Sequence, residues 1–259
     1  MSKEARVVCW FSAGAASAVA TKLALAEAAP GREIIIARCI VADEDADNDR
    51  FAADCAAWFG QPIITLASTE YASAEDVWTR RRYMSGPGGA VCTLEMKKRV
   101  RQDFEREWQP DHQVFGYTVE ERGRVERFRA SNPEVGLVTP LIDAGLGKDE
   151  CFAIIQRAGL VLPLRYRQGF DNANCKGSVA AQSANYWNRE RRLNPDVFAR
   201  RAALSRELGV RLVKLTSGER ERVFLDELQP DDNSDDGRPM GDCSLLCAIA
   251  ETRIKEAAP

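Results

Sequence analysis

Apolar positions along this chain fall into short unbroken runs separated by helical periods. The run Arg6-Val7-Val8-Cys9-Trp10-Phe11 has β-favouring residues and no polar alternation, as a strand covered on both faces requires. An alanine-rich stretch follows to about Ala28 and stops at Pro30-Gly31, the pattern of a helix closed by breakers. The alternation then repeats. Strand-like runs occur at 33–41, 62–66, 113–117 and 135–142, and helical periods at 48–59, 75–83 and 94–108. Strands alternating with helices predict βαβ units, hence an α/β, Rossmann-like fold with a mainly parallel sheet and helices on both faces.

After about Lys148 the strand-like runs cease. Helical periods over 149–158, 178–191 and 196–208, the last opened by Asn194-Pro195, predict a helical C-terminal extension. Asp231 to Gly237 is a polar, acidic linker, and Met240 to Cys247 returns to apolar residues as a cysteine-bearing tail. The expected division is an α/β domain over 1–147 and a helical and loop extension over 148–259.

At 259 residues, 45% hydrophobic and 29% charged, the chain can bury one large core with a smaller appendage. A net charge of −3 excludes a generally basic nucleic-acid coat and leaves room only for a local basic face. No apolar run nears the roughly 20 residues that cross a bilayer. Met1 to Arg6 lacks a signal-peptide layout, so the expectation is a cytoplasmic protein with no membrane partner. The single histidine, His112, read as exposed in a turn, excludes an all-histidine metal site and most histidine-based triads. The eight cysteines are then expected as reduced thiols. Cys9, Cys39, Cys55 and Cys151 lie in apolar segments and read as small buried hydrophobes. Cys92, Cys175, Cys243 and Cys247 fall where loops belong.

Between the first strand and the first helix, Ser12-Ala13-Gly14-Ala15-Ala16-Ser17 contains only small residues. Small side chains let backbone N–H groups approach an anion, the helix dipole adds partial positive charge, and two hydroxyls can donate. A tight βα turn packed closely on the sheet would use the same residues, and the loop alone leaves both readings level. It is neither a Walker loop nor a dinucleotide fingerprint.

This loop resembles the PP-loop, Ser-Gly-Gly-x-Asp-Ser, of the adenine nucleotide alpha hydrolase superfamily. Within it the chain most resembles the phosphoadenosine phosphosulfate (PAPS) reductase-like branch, particularly its short phage and bacterial members. Cys92-Thr93 with Lys97-Lys98 is similar to that branch's cysteine-then-lysine segment, and Gly116-Tyr117 through Glu121 and Arg124 to its Gly-x-Arg-x-x-Glu-x-x-Arg element. Pro140-Leu141, Leu160 to Tyr166, Gly169-Phe170 and Asn174-Cys175-Lys176-Gly177 resemble the run leading to its Cys-x-x-Cys. Asp242-Cys243-Ser244-Leu245-Leu246 resembles the reductase tail, Glu-Cys-Gly-Leu-His.

The resemblance implies an enzyme binding an adenine nucleotide, either ATP or a sulfonucleotide (PAPS/APS). Its phosphates would lie on Ser12, Ala13, Gly14, Ala15, Ala16 and Ser17, and its adenosine near Asp43. Lys97 and Arg124 would neutralise charge, and Cys243 would be the nucleophile or sulfur carrier, served by a thioredoxin-like dithiol or a sulfur donor. ATP chemistry would bring Mg²⁺. Some relatives bind a [4Fe-4S] cluster, which here would use Cys92, Cys175, Cys243 and Cys247. The departures are specific. Ala13 replaces a glycine, which a negative φ would tolerate. Ala16 replaces the loop's acidic residue, Ser178 breaks the Cys-x-x-Cys, and Leu246 replaces histidine.

Three functions follow: sulfonucleotide reduction or related sulfur transfer, ATP-driven adenylation of a nucleic-acid acceptor for thiolation, or a catalytically silent nucleotide-binding module. Nucleic acid is the less favoured partner, and the oligomeric state stays open, a dimer included. Asp43, Asp45 and Asp47 mimic the start of a calcium loop, but Asn48 stands where glycine is required, so their acidity is expected to cap the next helix. The basic clusters at 80–82, 97–101, 122–129 and 189–192 read mostly as solvated faces, and Tyr186 and Trp187 as core aromatics.

Overall fold

The computed structural model describes residues 5–29, 31–215, 222–232 and 245–256. Strands β1 (Arg6–Trp10), β2 (Glu33–Cys39), β3 (Ile63–Leu66), β4 (His112–Val114) and β5 (Leu137–Val138) form one parallel sheet in the order β3-β2-β1-β4-β5. The main helices are α1 (Ala15–Ala26), α2 (Asp47–Phe59), α3 (Ala74–Arg81), α4 (Arg99–Trp108), α5 (Arg122–Ser131), α6 (Lys148–Arg157), α7 (Ala184–Leu193), α8 (Pro195–Glu207) and α9 (Leu245–Glu256). The fold is therefore α/β and Rossmann-like. No described helix is long and apolar enough to cross a membrane.

β1 is the central strand, and its unbroken apolar run is explained by burial on both faces. Val7, Cys9 and Phe11 point into a core shared with α1, α2 and α6, while Val8 and Trp10 meet Phe104 and Trp108 of α4 on the other side. α1 is rich in alanine because it is packed closely: Ala15, Ala18, Val19 and Leu23 are fully buried. A second core joins Tyr71, Val77 and Trp78 to Trp187, Phe198 and Leu225. Both cores draw residues from either side of position 147, so they interleave across the expected division.

Several elements differ from expectation for local reasons. The strand expected over 135–142 shrinks to Leu137–Val138, because Pro140 lacks the N–H a ladder needs and opens the short helix Pro140–Asp143. The strand expected over 113–117 is His112–Val114, and His112 is half-buried at its start rather than exposed in a turn. The helix expected from 178 begins only at Ala184, where the Ser183 hydroxyl accepts the Tyr186 N–H at 3.2 Å as an N-cap. The helix expected over 94–108 is present, but Leu94–Lys98 takes π-helical turns before α4.

Candidate functional site

The chain runs from β1 outwards to β2 and β3, crosses back to β4 on the other side of β1 and goes on to β5, so the connections after β1 and after β4 leave in opposite directions. The crevice outside the strands' C-terminal ends lies at that switch point. A cavity of about 750 Å³ occupies it, reached by Ser12, Gly14 and Ser17 after β1 and by Phe115, Gly116 and Tyr117 after β4.

The small-residue loop closes on itself. The Ser17 hydroxyl donates to the Gly14 carbonyl at 2.9 Å and accepts the Ser12 N–H at 3.1 Å, and the two serine hydroxyls are 3.1 Å apart. Gly14 caps α1 in extended conformation, so the first N–H groups of the helix point out of its end. Tyr166 leans over this junction: its hydroxyl accepts the Ala15 N–H at 3.4 Å, and a methyl group on Gly14 would come within 3.0 Å of it. Burial pushes the Tyr166 phenol up to about 12, so it stays protonated. Ser12, Gly14, Ala16 and Ser17 line the cavity, whereas Ala13 and Ala15 are buried behind it as core residues.

Ala13 adopts φ +55, not the negative φ that would make the missing glycine harmless. An L-residue in this region bears about 1–2 kcal/mol. Ala13→Gly relieves that cost, but loses a buried methyl of about 0.8 kcal/mol and frees the unfolded chain by about 0.4–1 kcal/mol. The expected result in urea unfolding is a stability within about 1 kcal/mol of the parent. Ala13→Val, β-branched at positive φ in a fully buried site, is expected to lose more than about 2 kcal/mol.

Facing the loop, the π-helical turns and α4 present Lys97, Lys98 and Arg101, and α5 presents Arg124 and Arg127. Lys97 is half-buried. Burial opposes its charge, but the Glu44 carboxylate 2.9 Å away outweighs this and holds its pKa above the ordinary lysine value. Arg124 pairs with Glu121 at 2.7 Å and lies 5.2 Å over the Tyr117 ring. Asp43, expected near adenosine, lies apart from this cavity and lines a separate one of about 600 Å³. There its carboxylate accepts the Ala74 N–H at 2.6 Å, capping α3, and pairs with buried Arg201 at 2.6 Å. Asp45 accepts the Asp47 N–H at 3.0 Å at the start of α2, the capping role expected of this acidic loop.

Of the four cysteines proposed to hold a cluster, Cys92 and Cys175 lie near each other beside Lys97, both half-buried. Burial pushes Cys175 up to about 12, and Cys92 is raised for the same reason. Cys243 lies outside the described residues, as does the side chain of Cys247 in α9. Among the described residues no group of three or more histidine, cysteine or acidic side chains is arranged to hold a metal ion. Cys39, expected to be only a buried hydrophobe, lines the cavity, where burial pushes it up to about 11 against the pull of Lys97 and Arg101.

Tyr166, Asn172 and Asn174 also line the cavity; Tyr166 and Asn174 fall in stretches that carry the resemblance, but no site role was expected of any of the three. They arrive through a buried network. The Arg165 guanidinium pairs with Glu190, neither side chain exposed; Glu190 accepts the Gly177 N–H at 2.9 Å; and the Tyr186 hydroxyl accepts the Ser178 N–H at 2.7 Å. No protein-family model and no curated protein matches the chain.

Proposed function

We propose that the chain is a PAPS reductase-like PP-loop protein that binds an adenine nucleotide, ATP or a sulfonucleotide, and carries out sulfonucleotide reduction or a related sulfur transfer. The observation that carries this reading is the place of the Ser12–Ser17 loop. It lies at the switch point of the sheet, at a helix N-terminus, inside a cavity whose opposite wall is cationic. In this reading the phosphates lie against the loop's N–H groups and the Ser12 hydroxyl, with Lys97 and Arg124 balancing their charge. Fixed donors and cations of this kind stabilise charge that develops in the transition state. For a sulfonucleotide, the Cys243 thiolate would attack the sulfonate sulfur and displace the nucleotide through its phosphate oxygen. An external dithiol would then reduce the resulting thiosulfonate, releasing sulfite and becoming a disulfide.

Calorimetric titration with ATP, PAPS and APS tests the binding. At least one is expected to bind, and Ser17→Ala, which opens the loop's internal hydrogen bonds, is expected to weaken it about tenfold, ~1.4 kcal/mol. Sulfite release from PAPS or APS with a dithiol then tests the reaction. Failure of all three nucleotides to bind would remove this reading.

A further inference from the structure

The cavity is longer than the loop that opens it. Beyond Ser12–Ser17 it continues between two helices, with Lys98, Arg101 and Gln102 on one side and Arg124, Arg127 and Ser131 on the other. From Arg124 to Ser131 this wall runs about 10 Å along the helix axis. The floor is aromatic. Phe115 and Phe128 are half-buried with ring centroids 5.8 Å apart, and Tyr117 stacks on Phe115 at 5.7 Å. Arg101 lies 5.1 Å over Phe115.

Two cations of this outer half have no partner among the described residues. Most cations of the chain are matched: Lys97 by Glu44, Arg101 by Glu105, Arg124 by Glu121. Lys98 and Arg127 are exposed and make no ion pair or hydrogen bond among the described residues. They stand on opposite walls of one trough in a chain whose net charge is −3. Unmatched cations flanking a half-buried ring, here Phe128 beside the Phe115–Tyr117 stack, are the arrangement that holds a phosphate backbone while a base stacks. An acidic peptide would satisfy the cations but leave the rings unused.

We infer that the outer half of the cavity, between Lys98 and Arg127 over Phe115 and Phe128, seats a single-stranded nucleic acid. This rests on the nucleotide reading for what occupies the inner half, but its test reads separately. A fluorescein-labelled oligothymidylate is titrated by anisotropy between about 50 and 200 mM salt. Binding is expected to weaken with a log–log slope of about −1.4 for two neutralised phosphates. Lys98→Ala with Arg127→Ala is expected to remove most of that slope, and Phe128→Ala to weaken binding about tenfold or more. Thermal unfolding of each variant checks that it is folded. The same variants are titrated with whichever of ATP, PAPS or APS binds the parent.

No oligonucleotide binding beside intact nucleotide binding would overturn this inference and leave the nucleotide reading standing. Equal binding of a duplex, full displacement by polyglutamate, or a slope unmoved by the double variant would also overturn it. Oligonucleotide binding with the expected slope, beside no nucleotide binding, would support the trough and remove the nucleotide reading instead.

Discussion

Glu190→Ala is expected to lower the unfolding free energy by about 3–5 kcal/mol, because it strands a buried guanidinium. Arg165 and Glu190 are both fully buried. One carboxylate oxygen of Glu190 accepts from Arg165, from the Tyr186 hydroxyl at 2.9 Å and from the Gly177 N–H at 2.9 Å; the other accepts from Asn194 at 2.7 Å. Arg165 also lies 3.4 Å over the Phe170 ring, and its Nε and Nη1 have no other hydrogen-bond partner. Removing the carboxylate leaves this cation in a closed apolar site with only the ring and Tyr186 beside it.

Glu190→Gln separates charge from shape. It keeps an acceptor for Gly177 and a donor-acceptor pair of similar volume, so its loss relative to the parent measures the ionic part. Replacing both partners, Arg165→Met with Glu190→Leu, is expected to recover much of the stability lost in Glu190→Ala, since no buried charge then remains. Urea unfolding of the three variants checks these orderings, and a Glu190→Ala loss below about 1 kcal/mol would contradict the role assigned to the pair. A local readout accompanies it. Gly177 and Ser178 amide exchange should accelerate in Glu190→Ala more than the amides of β1, because the 172–178 loop is tied to α7 through these bonds.

The same network shows which parts of the molecule were legible in the sequence. β1, the small-residue loop and α1 could be read directly, since a strand buried on both faces must be apolar throughout and its helix must be small where it packs closely. Ser12, Gly14, Ser17, Lys97 and Arg124 do reach one cavity. Asp43 does not, because its carboxylate is used twice over by the N-terminus of α3 and by Arg201, a residue 158 positions away that no local pattern connects to it. Glu190 lay in a basic cluster read as a solvated helix face, and Arg165 in a stretch to which no helix and no burial was assigned. Their burial is set by tertiary packing of Phe170, Tyr186 and Trp187, and periodicity in so arginine-rich a stretch gives no sign of it. Leu137–Val138 was overextended for the opposite reason: the apolar run continues past Val138, and only the missing N–H of Pro140 ends the strand.

Gly116→Ala is expected to abolish tight nucleotide binding while Gly88→Ala leaves it unchanged. Gly116 follows β4, and its backbone has no positive φ, so conformation alone would admit any residue. What excludes a side chain is proximity. A Cβ there would lie 2.6 Å from the Ser17 nitrogen and 2.7 Å from both the Ala16 carbonyl carbon and the Ser17 Cα. All three are backbone atoms at the junction of the loop and α1, so none can swing aside as a flexible side chain would. The strain must be relieved by moving the loop away from β4, which displaces the N–H groups proposed to receive phosphate. Overpacking of this kind typically costs about 1–3 kcal/mol of stability, and misplacing binding groups by about an ångström can cost about 100-fold in function. Gly88 is the matched control, since a Cβ there meets nothing within 4 Å and its φ is not positive. The comparison is made by calorimetric titration below the unfolding transition of each variant. A folded Gly116→Ala protein with the parent's nucleotide affinity would mean that the phosphates do not lie at Ser12–Ser17, and the nucleotide would have to be sought along the cationic wall instead.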